Sequence, residues 1–235
     1  MDICKSKWQQ SYLRNENFMF YPKEETVKFL NRFVRKRIAV DKFKDIMDFD
    51  AKQVKGLDFG CGIGRLTVLM KEFGLDAYGT DISPYAIKTA RELALHFGYD
   101  DMEKKFFVTN GVKLPFSRGY FDVSMAESVL DSMPVVLAKK ILKDIDRVTR
   151  SVCFISLISG DNSEHGREYS GEETVKTPHE KGTVQSYYNW NKIKSLIEGT
   201  NFTIAWAQLI ATQSPLFCYK SSRYYLVLKK EDVNS

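Results

Sequence analysis

A glycine-rich loop is the part of the chain whose residue types and spacing best suit a chemical role. It follows a short apolar run and reads Leu57-Asp58-Phe59-Gly60-Cys61-Gly62-Ile63-Gly64-Arg65. Glycines between a strand and a helix let the backbone turn tightly and approach a ligand closely. Asp81 comes 21 positions after Gly60, where the next predicted strand ends. A carboxylate there can bind both ribose hydroxyls, so the pattern predicts a nucleoside site.

Two details separate this loop from a dinucleotide-binding loop. The dinucleotide pattern G-x-G-x-x-G would require glycine at position 65, where the chain has arginine. Asp58 also stands two residues before the first glycine. Its carboxylate would repel a pyrophosphate, whereas it suits a ligand that carries an ammonium and a sulfonium group. The loop therefore favours a different nucleoside ligand from NAD.

Alternating strands and helices must position this loop. The pattern predicts strands over 55–59, 77–80, 106–109, 121–125 and 152–158, with helices over 64–73 and 84–97 and another from 134. A helix over 189–198 precedes strands 202–211 and 223–229, whose connection is too short for a crossover. We expect an α/β fold with a doubly wound, mostly parallel seven-stranded sheet, an antiparallel C-terminal strand pair and three α-β-α layers. Residues 1–235 form one predicted domain, in which 1–40 are a helical cap.

Four motifs stand in a familiar order. They read D-F-G-C-G-I-G-R from Asp58, Y-G-T-D-I-S from Tyr78, L-P-F from Leu114 and F-D-V-S-M from Phe121. Together they resemble the class I S-adenosylmethionine (SAM)-dependent methyltransferase family, over roughly residues 50 to 160. The resemblance implies a Rossmann-like, seven-stranded fold, SAM as the cofactor and S-adenosylhomocysteine (SAH) as its product.

The resemblance also implies roles for single residues. Asp58 would hold the loop near the ammonium group, Asp81 would bind the ribose, and Ile82 would contact the adenine. Asn110 stands where the family often has aspartate, and its amide oxygen can still accept a hydrogen bond from the adenine amino group. The other residues expected to contact the cofactor are Gly60, Cys61, Gly62, Gly64, Gly111, Val112 and Glu127.

The segment 159–188 is the expected cover of the acceptor site. It leaves the fifth predicted strand at the ligand-binding edge of the sheet and is rich in glycine and polar residues. His165 and His179 in this segment, and Glu127, are candidate catalytic residues. The expected acceptor-binding residues are Arg65, Tyr21, Tyr187 and Tyr188. No metal is expected, because the spacing of the acidic and histidine side chains in this segment fits no metal signature.

The nature of the acceptor is less constrained. The chain lacks the N-P-P-F-like run of enzymes that methylate base amines, since Ala126-Glu127-Ser128-Val129 follows the fourth strand. We expect methyl transfer to an oxygen or nitrogen of a small metabolite, with a sugar or surface-glycan precursor as one candidate. One alternative is an RNA methyltransferase that uses the basic stretch 32–44, otherwise interpreted as a solvated helix face and its exit. The other is a SAM-binding protein without turnover.

Composition agrees with a globular enzyme. The net charge of +5 permits an anionic substrate without requiring nucleic acid. No apolar run reaches membrane-spanning length, and residues 1–10 lack the apolar stretch of a signal peptide. We expect a cytoplasmic monomer or homodimer with no membrane partner. The four cysteines are widely spaced and predict no disulfide framework.

Overall fold

A seven-stranded sheet forms the centre of the computed structural model, which describes residues 2–49, 53–216 and 218–230. The strand order is β10-β11-β7-β6-β3-β4-β5. Strands β3 to β7 pair in parallel, and β11 is antiparallel to both β7 and β10. The predicted fold class is confirmed. The bounds are β3 Lys55–Phe59, β4 Asp76–Asp81, β5 Phe106–Val108, β6 Phe121–Glu127, β7 Thr149–Ile158, β10 Phe202–Ser214 and β11 Tyr219–Lys230.

Helices cover both faces of the sheet. One apolar cluster packs α3 and α4 against the sheet, and a second packs α5 and α6 against it. These two clusters give the expected α-β-α layers, because each helix buries one apolar stripe against a strand face. The helices are α1 Asp2–Leu13, α2 Glu24–Phe29, α3 Arg65–Glu72, α4 Pro84–His96, α5 Val135–Val148 and α6 Trp190–Ile197.

The N-terminal region is less helical than its apolar spacing predicts. Helix α2 passes into a π-helical turn at Leu30–Val34, and the chain then forms a hairpin of β1 Arg35–Arg37 and β2 Phe43–Asp45. Arg35 pairs with Asp45 at 2.5 Å and donates to the Gly74 carbonyl at 2.9 Å. The basic stretch 32–44 therefore lies mostly on a β-hairpin, which corrects its interpretation as a helix face. Contacts distant in sequence outweigh the local helical spacing here.

The segment 159–188 contains a small hairpin of its own. Strand β8, Glu172–Thr174, pairs with β9, Val184–Ser186, and Ser159 bridges to Tyr188. Strands of three residues are too short to show a recognisable alternation of apolar and polar residues in the sequence.

Tyr188 at the end of this segment is a core residue. It is fully buried, belongs to the cluster under α5 and α6, and donates from its hydroxyl to the Leu130 carbonyl at 3.2 Å. The structure therefore corrects the expectation that Tyr188 binds the acceptor. Its large ring fills the space between the sheet and the helices, away from solvent.

Replacing Tyr188 tests this assignment. Tyr188→Ala is expected to lower the free energy of unfolding by about 3–5 kcal/mol, because it leaves a large cavity in a packed core. The matched control is Tyr21→Ala, since Tyr21 is 85% exposed and its loss should change stability by less than about 0.5 kcal/mol. Urea denaturation measures both changes. Equal midpoints for the two variants would contradict a core role.

Candidate functional site

A cavity of about 410 Å³ opens at the carboxyl ends of β3, β4 and β6. Ligands bind at this edge in open α/β sheets, and the volume lies within the usual range for small-molecule sites. Its wall has three parts: the glycine loop with the strand ends, the N-terminal region from Trp8 to Lys23, and the tip of the β8–β9 hairpin. Residues far apart in the chain thus share one cavity.

The glycine loop is held from both sides. The Gly62 backbone N–H donates to Asp81 Oδ2 at 2.9 Å. On the other side a Cβ on Gly62 would lie 2.7 Å from the Tyr12 hydroxyl oxygen, so only glycine fits beneath α1. Gly64, at φ +89°, serves packing instead: a Cβ there would lie 2.9 Å from Ala90 Cβ. Gly64 does not line the cavity, which corrects its expected cofactor contact.

Asp81 fits the expected role of a ribose-binding residue. Its buried carboxylate accepts from the Gly62 N–H and, through Oδ1, from the Ser83 N–H at 2.8 Å. A carboxylate offers about four lone-pair sites, so each oxygen retains one for a hydroxyl donor. Burial raises the pKa of Asp81, and the backbone donors oppose that shift. A pair of hydroxyls would supply the donors that this carboxylate can still accept.

Asp58 lies buried beneath the loop. The Thr67 hydroxyl donates to Asp58 Oδ2 at 2.8 Å. Burial raises the pKa of Asp58 to about 7, although the Thr67 hydrogen bond and the Arg65 charge lower it. A carboxyl in this state gains its full charge when a cation binds beside it. Asp58 is therefore suited to the ammonium group of an amino-acid moiety.

Glu127 is a fully ionised carboxylate. Its oxygens lie 2.5 Å from Lys23 Nζ and 2.6 Å from Arg65 Nη2. Burial alone would raise the pKa of Glu127, but the two cations outweigh burial and hold that pKa at about 2. Glu127 is one of the candidate catalytic residues, and its low pKa argues against a role as proton acceptor, because so weak a base takes up no proton near neutral pH.

Arg65 and Tyr21 are placed differently from expectation. Arg65 lines the cavity, but its guanidinium pairs with Glu127 and donates to the Tyr21 carbonyl at 2.8 Å. The Tyr21 side chain is 85% exposed and points away from the cavity wall, which corrects its expected acceptor contact. Only the Tyr21 backbone takes part in the site.

The adenine side of the cavity agrees in part with expectation. Cys61, Ile82, Asn110 and Gly111 line the wall, whereas Val112 does not. Asn110 Oδ1 accepts from the backbone N–H groups of Val112 and Lys113 at 3.1 and 3.2 Å. Asn110 Oδ1 therefore stabilises the turn in which Asn110 lies. The same oxygen is expected to contact the adenine amino group.

The two candidate histidines are separated by the fold. His179 lines the cavity at the hairpin tip, with its Nε2 3.5 Å from Glu180 Oε1. His165 lies outside the cavity wall, stacked on Tyr169 at 3.9 Å and close to Tyr187 at 5.0 Å. The structure corrects the catalytic role expected of His165 and the acceptor-binding role expected of Tyr187, since both side chains pack against each other instead.

Several wall residues could not be found by sequence reasoning. Glu16, Asp131 and Arg223 line the cavity, yet none belongs to a recognisable motif. Tyr12 carried a weak signal, because it lies in an N-terminal lead rich in aromatic residues. Their positions depend on contacts between distant parts of the chain.

Comparison with known proteins agrees with this geometry. Residues 57–155 match the family model described as "Methyltransferase domain". These residues match a methyltransferase domain, and the solved structures that share the fold include SAM-dependent methyltransferases. The fold is shared with the 1,6-didemethyltoxoflavin-N1-methyltransferase of Burkholderia thailandensis, solved with its substrate and SAH, at a TM-score of 0.67 and 17% identity over 98% of this chain and 88% of that one. A SAM-dependent methyltransferase of Methanosarcina mazei superimposes at a TM-score of 0.62, with 18% identity over 77% of this chain and 93% of that one.

Curated relatives match this chain over part of their length. Norajmaline N-methyltransferase of Rauvolfia serpentina is 25% identical over 81% of this chain and 64% of the relative. The 2-methyl-6-phytyl-1,4-hydroquinone methyltransferase of Synechocystis sp. is 38% identical over 37% of this chain and 27% of the relative. The matched regions thus span less than two thirds of each relative.

SAM is the cofactor of this family, and the cavity suits it. Asp81 keeps acceptors for a ribose, and Asp58 is suited to an ammonium group. None of the described helices is long and apolar enough to span a bilayer.

Loss of the Asp81 carboxylate should weaken cofactor binding. Asp81→Ala is expected to raise the Kd for SAM by more than about tenfold, because two ribose hydroxyls would lose their acceptors. Calorimetry measures this change, with the exposed Asp100→Ala as a control of equal charge that should leave the Kd unaltered. An unchanged Kd in Asp81→Ala, or micromolar binding of NAD by the native chain, would contradict the assignment.

Cofactor affinity should also depend on pH through Asp58. The free carboxyl has a pKa of about 7, and a bound ammonium group would lower it. The affinity for SAM is therefore greatest above pH 7. It falls as the pH drops below 7, by up to about tenfold per pH unit. Calorimetry with SAM from pH 5.5 to 7.5 tests this dependence. Asp58→Asn should show a flat profile, and a flat profile in the native chain would contradict the prediction.

Proposed function

We propose that the protein transfers a methyl group from SAM to a nitrogen or oxygen atom of a small metabolite. The observation that carries this proposal is the cavity of about 410 Å³, whose wall extends beyond the glycine loop. Beyond the glycine loop, its wall continues along the apolar side chains of Met133, Leu137 and Ile141. His179 at the hairpin tip and Gln185 in β9 line the same cavity. A sugar or surface-glycan precursor is one candidate acceptor of suitable size.

Two chain segments meet over this cavity. Glu16, which follows α1, accepts a hydrogen bond from the Glu180 backbone N–H at 3.0 Å. Within α1, Gln9 Oε1 accepts a hydrogen bond from the hydroxyl group of Ser83, which precedes α4. These contacts close one side of the cavity. They favour a small acceptor over a polymer, because a polymer needs an open side of the cavity to reach the methyl group. They also support a role for residues 1–40 and 159–188 as covers that exclude water.

Names of the broadly matching proteins favour nitrogen as the acceptor atom. The relative that aligns over 81% of this chain is an N-methyltransferase, and so is the solved structure that covers 98% of it. Both names describe small-molecule acceptors. A nitrogen acceptor in a ring or an amine is therefore the first class to test.

The RNA alternative receives less support from the structure. The basic hairpin β1–β2 packs beside Gly74, which follows the C-terminal end of α3. The cavity lies at the opposite end of this helix, where Arg65 begins it. A nucleic acid held on the hairpin would therefore lie away from the cavity. The alternative of SAM binding without turnover is distinguished by a turnover assay.

Methyl transfer requires alignment and the removal of a proton. SAM supplies a methyl group already activated on a sulfonium, so alignment of the acceptor accounts for much of the rate. Among the described titratable groups on the cavity wall, His179 and Glu180 are not engaged by a stronger cation or by the glycine loop. Burial raises the pKa of Glu180, while His179 lowers it. His179 and Glu180 are therefore the groups placed to accept the proton of the acceptor.

An activity screen tests the proposed function. The purified chain is incubated with SAM and a panel of amines, nitrogen heterocycles, sugars and phenols, and SAH formation is measured. We expect turnover with a member of the nitrogen set. SAM binding without SAH formation across the panel would favour a SAM-binding protein without turnover. Turnover on RNA alone would favour an RNA methyltransferase.

Variants at the hairpin tip test the proton acceptor. The variants His179→Ala and Glu180→Gln are assayed with the acceptor found in the screen. The variant that removes the proton-accepting residue should lower kcat by about 10²–10⁴-fold. Its Kd for SAM should stay within about twofold of the native value. His165→Ala is the matched control, since His165 lies on the same segment but outside the cavity. Native kcat in both hairpin-tip variants would exclude them as the base.

A further inference from the structure

Three side chains with metal-binding atoms meet beside strand β8, outside the cavity. Glu164 and His165 are in the loop that follows β7, and Glu173 is in the middle of β8. One ligand atom from each of the three lies within 4.8 Å of the other two. None of the three residues lines the cavity wall. Their spacing in the sequence fits no metal signature, because the fold and not the spacing brings Glu173 beside His165.

The His165 imidazole has a buried nitrogen atom without a hydrogen-bond partner. Its Nε2 atom is excluded from solvent and forms no hydrogen bond with a described residue. Glu173 Oε1 lies 3.1 Å from this nitrogen, but the two atoms do not have the geometry of a hydrogen bond. A buried polar atom without a partner is costly, and a bound ion is one of the usual ways to satisfy it. The pair of atoms is therefore suited to a shared cation.

Neighbouring aromatic residues hold two of the three side chains in place. The His165 ring stacks on Tyr169 with 3.9 Å between the ring centroids, and the Tyr187 ring lies 5.0 Å away, edge to face. The Tyr169 hydroxyl donates to Glu173 Oε1 at 2.6 Å and so orients this carboxylate. Contacts of this kind fix the orientation of metal ligands. His165 and Glu173 are thus arranged before any ion binds.

The charges of the cluster favour a cation. In the parts of the chain that the structure describes, no lysine or arginine nitrogen lies within 4.0 Å of a carboxylate oxygen of Glu164 or Glu173. Burial, and then the charges of Glu173 and Glu164, raise the pKa of the nearby Tyr187 to about 12. The two carboxylates therefore make the potential around these rings negative, and a divalent cation would compensate them.

We infer that Glu164, His165 and Glu173 bind a divalent transition-metal ion, with Zn²⁺ as the best match. Zn²⁺ accepts one imidazole nitrogen together with carboxylate oxygens, whereas Mg²⁺ and Ca²⁺ prefer oxygen ligands alone. Two ligands of a tetrahedral Zn²⁺ are about 3.3 Å apart. This separation is close to the 3.1 Å between His165 Nε2 and Glu173 Oε1. Glu164 is exposed and can complete the set by rotation of its side chain, with water in the fourth position.

The bound ion would tie the loop that follows β7 to strand β8. The β8–β9 hairpin carries His179 and Glu180 near its tip, where both residues line the cavity. The ion would therefore hold the fold of the segment that contributes one part of the cavity wall. Because the cluster lies outside that wall, the ion would take no part in methyl transfer.

Titration of the chain, without an affinity tag, with Zn²⁺ tests the site. Calorimetry should show one ion bound per chain. His165→Ala, Glu173→Gln and Glu164→Gln should each raise the Kd for Zn²⁺ by at least about tenfold, because even residues that only orient a ligand contribute about 10–100-fold. Glu164 is exposed, so its variant removes a ligand without disturbing a packed region. The matched controls are His179→Ala and Glu168→Gln, which lie on the same segment but outside the cluster.

Two further measurements separate this site from stray metal binding. Co²⁺, a spectroscopic substitute for Zn²⁺, should show the weak d–d bands of nitrogen and oxygen ligands without a sulfur-to-cobalt charge-transfer band. Such a band would indicate binding by a thiol such as the exposed, free Cys218. Hydrogen exchange over 172–174 and 184–186 should slow when Zn²⁺ is added to the native chain and should not slow in His165→Ala.

The outcomes are distinct. Loss of Zn²⁺ affinity in the three ligand variants, with native affinity in both controls, would support the site. No binding by the native chain, native affinity in all three variants, or a sulfur charge-transfer band would each overturn it. None of these measurements uses SAM or an acceptor, so they leave the proposed function to its own tests.

Discussion

The buried carboxylate of Glu127 is the interaction on which the geometry of the cavity depends. It ends strand β6 and accepts from Lys23, which precedes α2, and from Arg65, which begins α3. Removing one partner from such a buried ion pair typically costs about 3–5 kcal/mol, because a charge is left without compensation. The N-terminal region, the glycine loop and the centre of the sheet are therefore tied together at one point. Two of the three parts of the cavity wall, the glycine loop with the strand ends and the N-terminal region, are held together by this contact.

Two neighbouring carboxyls with similar burial have opposite pKa shifts. Among the described residues, the Thr67 hydroxyl is the side-chain hydrogen-bond partner of Asp58, whose pKa is raised to about 7, whereas Glu127 has two cations and a pKa of about 2. The difference arises from partners, since both side chains are buried. Asp58 can therefore become ionised when a cation binds beside it. Glu127 stays ionised and holds Lys23 and Arg65 in place.

The N-terminal region and the β8–β9 hairpin, which both contribute to the cavity wall, are built from short elements. Helix α1 has few apolar residues, yet Tyr12 is buried against the glycine loop. The β8–β9 hairpin has strands of three residues each, and Glu180 near its tip has a left-handed backbone at φ +59°. Non-glycine residues adopt this conformation at a cost, and surrounding contacts must hold them. The hydrogen bond from Glu180 N–H to Glu16 is one such contact.

The sequence by itself determined the fold class and the cofactor side of the site. Strand and helix periods, the glycine loop and Asp81 are local patterns, and local patterns can be recognised without coordinates. Tertiary structure alone decided which polar side chains share the cavity. Lys23 and Glu127 are 104 residues apart, and Arg223 and Asp131 are 92 apart. It also placed His179 in the cavity and His165 outside it, although both lie in one segment. No period or motif encodes such pairs, because they form only when the strand order of the sheet brings their elements together.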